Sequence, residues 1–289
     1  MREYSRNGEI FPETPWPVGM RRIALAVEYN GAAFRGFQVQ PEGVITVQQA
    51  LHTALSVVAD EPVTLVCAGR TDAGVHATGQ IVHFDTLAKR PERAWVMGTR
   101  PHLPAGVSVR WAQELPASFH ARFSARSRVY RYLLTDAASR PGLLHDQITW
   151  VRYPLNVEQM HFAAQRLVGE HDFTSLRAVQ CQAKSPVRRI EHVHLVRRGD
   201  LIVLEIKANA FLHHMVRNIV GVLLEVGRGN REPGWVDAVL QARDRAAAAV
   251  TAPPFGLYLV KVDYDPAFGL PELAPGPLFL SDLVGSLAG

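Results

Sequence analysis

Cysteine is scarce in this sequence. The two cysteines, Cys67 and Cys181, lie far apart in the chain and lack the close spacing of metal-ligating cysteines. We therefore expect neither a disulfide framework nor a cysteine zinc site, and the fold must be held together by its apolar core.

Long hydrophobic runs are missing as well. Residues 1–20 contain no apolar run of signal-peptide length, and no later window approaches the roughly 18 apolar residues of a membrane span. Hydrophobic residues nevertheless make up 47% of the chain and charged residues 20%, which is typical of a globular protein. These features predict a soluble protein in the cytoplasm, without a membrane partner.

Lysine is the third scarce residue. Only four of the 31 basic residues are lysine, so 27 are arginine, the side chain that pairs with phosphate and stacks on bases. A GC-rich coding bias would produce the same excess. The formal net charge of +4 is too small to decide between a nucleic-acid partner and that bias.

Three common motifs are also missing. The sequence has no G-x-x-x-x-G-K-[ST], no G-x-G-x-x-G after a strand and no G-x-S-x-G. Nucleoside triphosphates and dinucleotides are therefore not expected as ligands, and a serine nucleophile of the hydrolase type is not expected either.

The hydrophobic pattern predicts the same order of elements twice. In the first half we predict strands over 22–29, 63–68, 80–86 and 107–113, and helices over 47–59 and 91–98. In the second half we predict strands over 128–135, 188–197, 201–208 and 256–263, and helices over 156–168, 211–226 and 234–247. The prediction is an α+β fold of two ferredoxin-like β-α-β-β-α-β halves, joined through a mixed, mainly antiparallel sheet with a central cleft.

Four segments follow from this order. We expect an N-terminal extension over 1–20, an N-terminal subdomain over 21–116, a C-terminal subdomain over 117–265 and a proline-rich tail over 266–289. The tail is expected to form an extended strap rather than a domain.

The stretch AGRTDAGVHATGQ, residues 68–80, falls between the second and third predicted strands. Aspartate and glycine are the residues that turns prefer, so a purely structural turn is one interpretation. The other is a reactive carboxylate, because Arg70 can hold Asp72 ionised and the glycines let a bulky substrate approach the backbone. Residue types alone leave both open.

Two further positions suggest a site. Arg217 lies inside the apolar stretch FLHHMVRNIVGVLLEV, where a guanidinium needs an anionic partner unless its head reaches solvent. Tyr130 and Tyr132 alternate on a strand beside Arg128 and Arg131, which suits either a stacking platform for unpaired bases or ordinary strand packing.

The twelve histidines do not indicate a metal site. His192 and His194 alternate on a strand, and His213 and His214 are expected to be adjacent in a helix, where they cannot share a face well. No carboxylate cluster or H-E-x-x-H accompanies them, so no metal is expected. A metal-dependent hydrolase that uses His192 and His194 is kept as an alternative.

Several longer segments together carry a resemblance to a known family. The segments are AGRTDAGVHATGQIVHF, FHARFSA, RVYRYLL, DFTSLRAVQCQ, NAFLHHMVRNIVG, FGLYL and GPLFL, and they occur in the order found in that family. From about Arg22 to about Asp282 the chain resembles the tRNA pseudouridine synthase A family. The resemblance implies the pseudouridine synthase fold and a homodimer that converts uridine to pseudouridine at positions 38–40 of the tRNA anticodon stem-loop, with base flipping and no cofactor.

The resemblance also implies roles for matching residues. Asp72 matches the catalytic aspartate, which attacks C1′ of the ribose or C6 of the base, and Arg217 matches the arginine that pairs with it. Tyr130 matches the tyrosine that stacks on the target base, and Leu257 a residue of the pocket wall.

Three arginines match positions that contact RNA in the family. Arg70 matches the one that helps to take the place of the flipped nucleotide, whereas Arg90 and Arg122 match further contacts. An alternative from another class is a tRNA-binding module without activity, which needs only arginines and stacking rings.

The sequence departs from the family pattern at four positions away from these residues. Asn30 stands where the family usually has Asp, Phe37 where it has Trp, His102 where it has Asn and Leu176 where it has Phe. These changes affect the expected RNA contacts and local packing rather than the reaction.

Overall fold

The N-terminal half has the predicted ferredoxin-like arrangement in the computed structural model, which describes residues 16–41 and 43–280. Its elements are β1 (Arg21–Tyr29), α1 (Val47–Ala59), β2 (Val66–Cys67), β3 (His76–Thr86), α2 (Glu92–Met97) and β4 (Val107–Leu115). Strand β1 pairs antiparallel with β3 and with β4, and β2 pairs antiparallel with β3. The predicted strand over 63–68 is thus reduced to two residues.

Local sequence explains where α1 begins and ends. The Thr46 side chain accepts a hydrogen bond from the Gln49 backbone N–H at 3.3 Å, which caps the first turn. Buried Leu51 and Leu55 lie one turn apart on the face toward the core. Asp60 follows the helix in the left-handed conformation, φ 59°, and ends it.

The C-terminal half repeats the arrangement and adds two short strands that the sequence did not indicate, β6 and β7. Its elements are β5 (Ser127–Thr135), β6 (Thr149–Trp150), α3 (Val157–Ala164), β7 (Gly169–Asp172), β8 (Val187–Arg198), β9 (Leu201–Ala208), α4 (Met215–Gly227), α5 (Trp235–Ala242) and β10 (Leu257–Asp263). Strand β5 pairs antiparallel with β9 and β10, and β8 with β9. The predicted helix from residue 211 begins four residues later, at Met215.

The two halves join along one edge of β3. The strand order is β4-β1-β3-β10-β5-β9-β8-β7, with β2 also on β3 and β6 on β5. One edge of β3 pairs with β1, so β2 and β10 share the other edge. Strand β2 pairs with the later part of β3, and β10 pairs in parallel with its first residues, His76 and Ala77. A Cβ on Gly79 would overlap the Val260 carbonyl oxygen, so only glycine permits β3 and β10 to approach here.

Both faces of the sheet are covered by apolar residues, but the two cores differ in size. The helix-covered face carries the large core, which includes Tyr130 and Leu257. The opposite face has a smaller core that Leu280 helps to cover. Arg131 donates to the Pro275 and Gly276 carbonyl oxygens at 2.9 and 3.1 Å, which fixes the tail on this face.

Not every sequence prediction about chain organisation has a structural counterpart here. The tail packs as a strap as far as residue 280, whereas residues 281–289 lie outside the described part. Most of the expected N-terminal extension, residues 1–15, lies outside it too, and the subdomain boundaries stay a prediction. Among the described residues no helix is long and apolar enough to cross a membrane.

The junction generates the first prediction. Gly79→Ala should lower the free energy of unfolding by at least about 2 kcal/mol, because the new methyl group must push β3 away from β10. Urea unfolding measures this change. Gly142→Ala is the matched control, since a Cβ there meets nothing within 4 Å and its φ is ordinary. Equal stability of the two variants would contradict the close approach.

Candidate active site

The loop that carries Asp72 is anchored through backbone and side-chain hydrogen bonds. Gln80 on β3 donates its side-chain amide to the Gly69 carbonyl oxygen at 2.6 Å, and its oxygen accepts from Gly69 N–H at 3.4 Å. The Tyr29 and Thr71 hydroxyl groups lie 2.8 Å apart. These contacts attach the residues before Asp72 to the sheet.

Two glycines make close packing around the loop feasible. Gly36 has φ +98°, and a Cβ there would lie 2.9 Å from the Thr71 carbonyl oxygen. Gly74 has φ +78°, and a Cβ there would lie 2.9 Å from Pro254 Cγ, which belongs to the other half. The tight turn therefore brings Asp72 to the boundary between the halves, so the structural and the chemical interpretation of this stretch are compatible.

Arg128 anchors the start of the same loop from β5. Its guanidinium is buried and donates to the Ala68 and Arg122 carbonyl oxygens at 2.9 Å each, and to the Asn209 carbonyl oxygen at 3.1 Å. Carbonyl oxygens compensate the desolvated cation. Sequence reasoning assigned Arg128 only to a possible stacking face and missed this structural role.

His76 fixes the end of the loop to both halves. Its Nδ1 accepts from Gly31 N–H at 3.1 Å, and its Nε2 lies 2.9 Å from the Phe255 carbonyl oxygen. These partners assign the neutral tautomer with the proton on Nε2. Burial lowers the pKa of His76, consistent with an uncharged ring that stacks on Tyr258 at 4.6 Å.

Three side-chain nitrogen atoms surround the Asp72 carboxylate, and Arg217 donates a hydrogen bond to it. Arg217 Nη1 and His214 Nε2 each lie 3.3 Å from Oδ2, and His213 Nε2 lies 3.3 Å from Oδ1. The Asp72 side chain retains 26% exposure, so a substrate can reach it. The arrangement offers a partly desolvated carboxylate, held in place, at the point where the halves meet.

Arg217 has the anionic partner that its apolar surroundings require. The residue lies in the first turn of α4, where the helix dipole also favours a nearby carboxylate. Its Nε donates to the Ala252 carbonyl oxygen at 2.8 Å, and Ala252 N–H donates back to the Arg217 carbonyl oxygen at 3.1 Å. The guanidinium is therefore oriented before it contacts Asp72, and the alternative of a head that only reaches solvent is wrong.

Asn218 supports this orientation from inside the core, and sequence reasoning missed it. The fully buried amide accepts from Thr251 Oγ1 at 2.7 Å and donates to the Leu176 carbonyl oxygen at 2.9 Å. Thr251 adjoins Ala252, so Asn218 holds the segment that fixes Arg217. The signal available in the sequence was an amide within an apolar helix, which predicts a specific buried partner.

His213 and His214 are not in a helix, contrary to the sequence prediction. Helix α4 begins at Met215, and His214 precedes it with φ 61° and ψ 5°. This left-handed residue turns the two rings to the same side, with centroids 4.1 Å apart. Helical spacing therefore did not apply, and both imidazoles reach Asp72.

The same three residues are the one group within residues 16–41 and 43–280 whose ligand atoms could hold a metal ion. The atoms of Asp72, His213 and His214 lie within 4.8 Å of one another. The positive charge of Arg217, 3.3 Å from the same carboxylate, opposes a divalent cation there.

The alternative metal site at His192 and His194 has a different arrangement. His192 Nε2 lies 3.2 Å from Glu205 Oε1, while Arg131 Nε donates to Glu205 Oε2 at 2.8 Å. His194 packs its ring against His192 at 5.0 Å. These side chains form a hydrogen-bonded network on the sheet rather than the hydrolase site.

Tyr130 and Tyr132 are both buried, but the surroundings of their hydroxyl groups differ. The Tyr132 hydroxyl is fully buried and bonds Thr149 Oγ1 and the Pro253 carbonyl oxygen at 2.8 and 2.6 Å, so this ring is not available for stacking. Tyr130 is 8% exposed, and its hydroxyl lies 3.8 Å from the point that a Cβ on Gly69 would occupy in the Asp72 loop. Burial raises the pKa of Tyr130, and Asp72 adds to the shift, so the group stays a phenol.

The remaining predicted residues are not equally placed. Leu257 is buried opposite Tyr132 at the start of β10. Burial raises the pKa of Cys67 to about 11, and the guanidiniums of Arg70 and Arg122 oppose this shift.

Arg70 and Arg90 differ in their contacts and in their position along the fold. Arg70 is exposed and makes no ion pair or hydrogen bond with any residue that the structure describes. Arg90 follows the far end of β3, an 11-residue strand about 30 Å long, and donates to the Val58 carbonyl oxygen at 3.0 Å. The structure does not bring Arg90 to the Asp72 cluster.

The four departures from the family pattern lie in different surroundings. Phe37 and Leu176 are buried in the core, and Asn30 accepts from Ala32 N–H at 3.0 Å to cap a short helical turn. His102 is exposed.

Neutral imidazoles hold the segment that carries Arg122. His120 Nδ1 accepts from the Arg122 and Phe123 N–H groups at 3.1 Å each, and His83 Nδ1 accepts from Ala121 N–H at 3.1 Å. Burial, reinforced by the nearby positive charge of Arg22, lowers the pKa of His83 to about 3 and that of His120 to about 4. The acceptor role requires the unprotonated ring.

Comparison with known proteins gives consistent matches. The family model described as tRNA pseudouridine synthase matches residues 25–124 and 163–265. A tRNA pseudouridine synthase A of Pseudomonas aeruginosa is 58% identical over 270 residues, covering 92% of this chain and 95% of that protein. The protein of the same description from Pseudoalteromonas atlantica is 54% identical over 261 residues, covering 90% of this chain and 99% of that protein.

Similarity to solved structures is much weaker. The crystal structure of a Cbf5-Nop10-Gar1 complex matches with a TM-score of 0.34 and 9% identity, covering 82% of this chain and 57% of that chain. These values support no inference.

The depressed pKa of His83 generates the second prediction. The pKa of a histidine in the unfolded chain is about 6.5, so the unfolded state takes up the proton first as the pH falls. The stabilisation from the neutral His83 ring is therefore complete above that pKa and is lost as the pH falls toward 3. The free energy of unfolding should fall by about 1 to 2 kcal/mol between pH 7 and pH 5.

Urea unfolding at the two pH values measures this loss. His83→Asn keeps an acceptor but cannot titrate, so its stability should depend less on pH than that of the wild type. The exposed His145→Asn serves as control and should keep the wild-type pH dependence. If the free energy of unfolding of His83→Asn depended on pH as strongly as that of the wild type, this result would contradict a buried neutral ring at His83.

Proposed function

The chain belongs to the tRNA pseudouridine synthase family, and from this membership we propose that it modifies positions 38–40 of the tRNA anticodon stem-loop with Asp72 as nucleophile. The coarser statement needs no proposal: the protein is a tRNA pseudouridine synthase, an isomerase that acts on tRNA. The observation that supports the finer proposal is the Asp72 carboxylate, held 3.3 Å from Arg217 and still 26% exposed.

The reaction suits this site. The C1′–N1 bond of uridine breaks and a C1′–C5 bond forms, while C5 loses a proton and N1 gains one. Atoms and electrons balance without a co-reactant, so the protein needs to supply only an ionised nucleophile and an enclosed place for the base to turn. Attack at C1′ and attack at C6 are both compatible with the exposure of Asp72.

Access to a paired nucleotide requires base flipping. A uridine within a stem cannot present its reacting atoms to a carboxylate on a sheet end, so we propose that it leaves the stack. Arg70 is an exposed residue of the Asp72 loop and has no partner among the described residues, which suits a side chain that fills the vacated space. Tyr130 would stack on the extruded base, and Leu257 would line the pocket.

The other arginines would act outside the pocket. Arg122 would add a further RNA contact, since Arg128 binds its carbonyl oxygen together with that of Ala68 at the start of the Asp72 loop. Arg90 would contact a distant part of the tRNA, because β3 separates it from Asp72. We also propose a cytoplasmic homodimer without cofactor; these features rest on the family resemblance alone.

Mapping pseudouridine at single-nucleotide resolution tests the proposal. The purified protein should modify unmodified tRNA transcripts at positions 38–40, and Asp72→Asn should reduce the rate by at least about a thousandfold, because the nucleophile is lost. Binding of tRNA should stay within a few-fold. Modification at other positions would contradict the proposed target positions, and normal turnover by Asp72→Asn would contradict the role of Asp72 as nucleophile. Binding of tRNA without any product would favour the alternative of a tRNA-binding module without activity.

Arg217 gives a separate prediction. Arg217→Ala should lower kcat about 100-fold, because the carboxylate loses its oriented cation. Arg217→Lys should recover only part of this loss, since an ammonium group cannot contact both Asp72 and the Ala252 carbonyl oxygen as the guanidinium does.

Single-turnover kinetics measure both variants. Arg228→Ala, at the other end of α4, is the control and should retain wild-type kcat. Wild-type kinetics in Arg217→Ala would show that the pair is not used in the reaction.

A further inference from the structure

His214 adopts a backbone conformation that costs stability. Its φ of 61° makes it one of three non-glycine residues with positive φ in the described part of the chain, together with Asp60 and Arg243. A left-handed residue with a Cβ costs roughly 1–2 kcal/mol. Strain of this kind persists where the surrounding contacts compensate it.

The conformation has a specific result at Asp72. It directs the His214 ring to Oδ2, while the His213 ring, 4.1 Å away, contacts Oδ1. Oδ2 therefore has two side-chain nitrogen atoms at 3.3 Å, from His214 and from Arg217, which donates a hydrogen bond to it, whereas Oδ1 has one, from His213. The His213 side chain is also the most exposed of the three neighbours of the carboxylate, at 38% against 27% for His214 and 14% for Arg217.

The backbone on both sides of His214 is anchored. The His214 carbonyl oxygen accepts from Asn218 N–H at 2.9 Å, and the His213 carbonyl oxygen accepts from Ala178 N–H at 2.9 Å. The His214 ring is therefore fixed by its backbone and by partial burial, while the His213 ring is fixed by its backbone alone.

A nucleophilic carboxylate needs one oxygen free to attack. The oxygen that is held by one exposed ring is released more easily than the oxygen held by a guanidinium and a fixed imidazole. We propose that His214 is a positioning residue that holds Asp72 Oδ2 together with Arg217, whereas His213 covers Oδ1 and withdraws when the nucleotide enters. Oδ1 is then the attacking atom, and this division of roles rests on the proposed nucleophilic function of Asp72.

The electrostatics of His214 agree with this role. Burial lowers the pKa of His214, with the nearby His213 and Arg217 acting in the same direction and Asp72 opposing them. The ring is therefore neutral at pH 7 and has one proton to donate. A contact through Nε2 requires that the proton be on Nε2.

His214→Gly separates the ring from the backbone. Glycine adopts positive φ without strain, so the variant should fold while losing the imidazole. We expect kcat on tRNA to fall about 10-fold to 100-fold, because the carboxylate is less well aligned, while KM changes only a few-fold. Asp60→Gly is the matched control, since it places glycine at another left-handed helix end, and should show wild-type kinetics.

Added imidazole distinguishes positioning from folding. It should restore part of kcat in His214→Gly by occupying the space of the missing ring, and it should have no such effect on Arg217→Ala. A purely structural role of His214 would give no rescue.

His213→Ala tests the other half of the proposal. It should raise kcat/KM several-fold, because the nucleotide no longer has to displace a ring from Oδ1. A fall in kcat as large as in His214→Gly would overturn the division of roles between the histidines.

One measurement does not depend on activity. Long-range proton–nitrogen NMR spectra of histidine-labelled protein should show the proton of His214 on Nε2 at neutral pH, and this signal should shift in Asp72→Ala. A proton on Nδ1 alone would overturn the contact. If the wild type makes no pseudouridine, the proposed function is wrong, while the spectra still show whether His214 contacts Asp72. If both the wild type and His214→Gly are fully active, the proposed function stands and only the positioning role of His214 is wrong.

Discussion

A carboxylate from one half of the chain meets a guanidinium from the other. Asp72 and Arg217 are 145 residues apart in sequence and lie 3.3 Å apart in space. Neither half can assemble this pair alone, so the site exists only because the sheet continues from β3 into β10. That continuation involves two register pairs, at His76 and Ala77, and it depends on Gly79 because a side chain there would collide with β10.

Polar groups near the junction are compensated mainly by backbone atoms. Arg128 and Arg217 both donate to carbonyl oxygens, and His76 bridges Gly31 and Phe255 as a neutral ring. Backbone partners are set by the path of the chain and have little freedom to move. This rigidity matters for catalysis, because a carboxylate that is oriented before the substrate arrives need not be reorganised during the reaction.

Much of the architecture was predictable from local pattern. Alternating and helical periodicity identified the long strands and helices of both halves, since burial of one face imposes that periodicity directly. The short strands β6 and β7 were missed because they are only two and four residues long and have no pattern of their own. The start of α4 was misplaced because the apolar run extends four residues beyond the helix.

The candidate site was predictable in part. Asp72, Arg217 and Tyr130 came from family motifs, whereas His213 and His214 were set aside on the assumption of helical geometry. The left-handed φ of His214 reverses that conclusion, and nothing in the local sequence announces it. Arg90 stays a prediction: it matches an RNA-contacting position of the family, and the length of β3 separates it from Asp72.

The sequence by itself determined the long strands and helices and the membership in a synthase family, and it singled out Asp72 as the candidate nucleophile. Only the tertiary structure decided which side chains surround that carboxylate and which of its oxygens each one contacts. The physical reason is range: periodicity and capping act over a few residues, whereas the contacts of Asp72 depend on the parallel pairing of β3 with β10 and on the single residue that turns into α4.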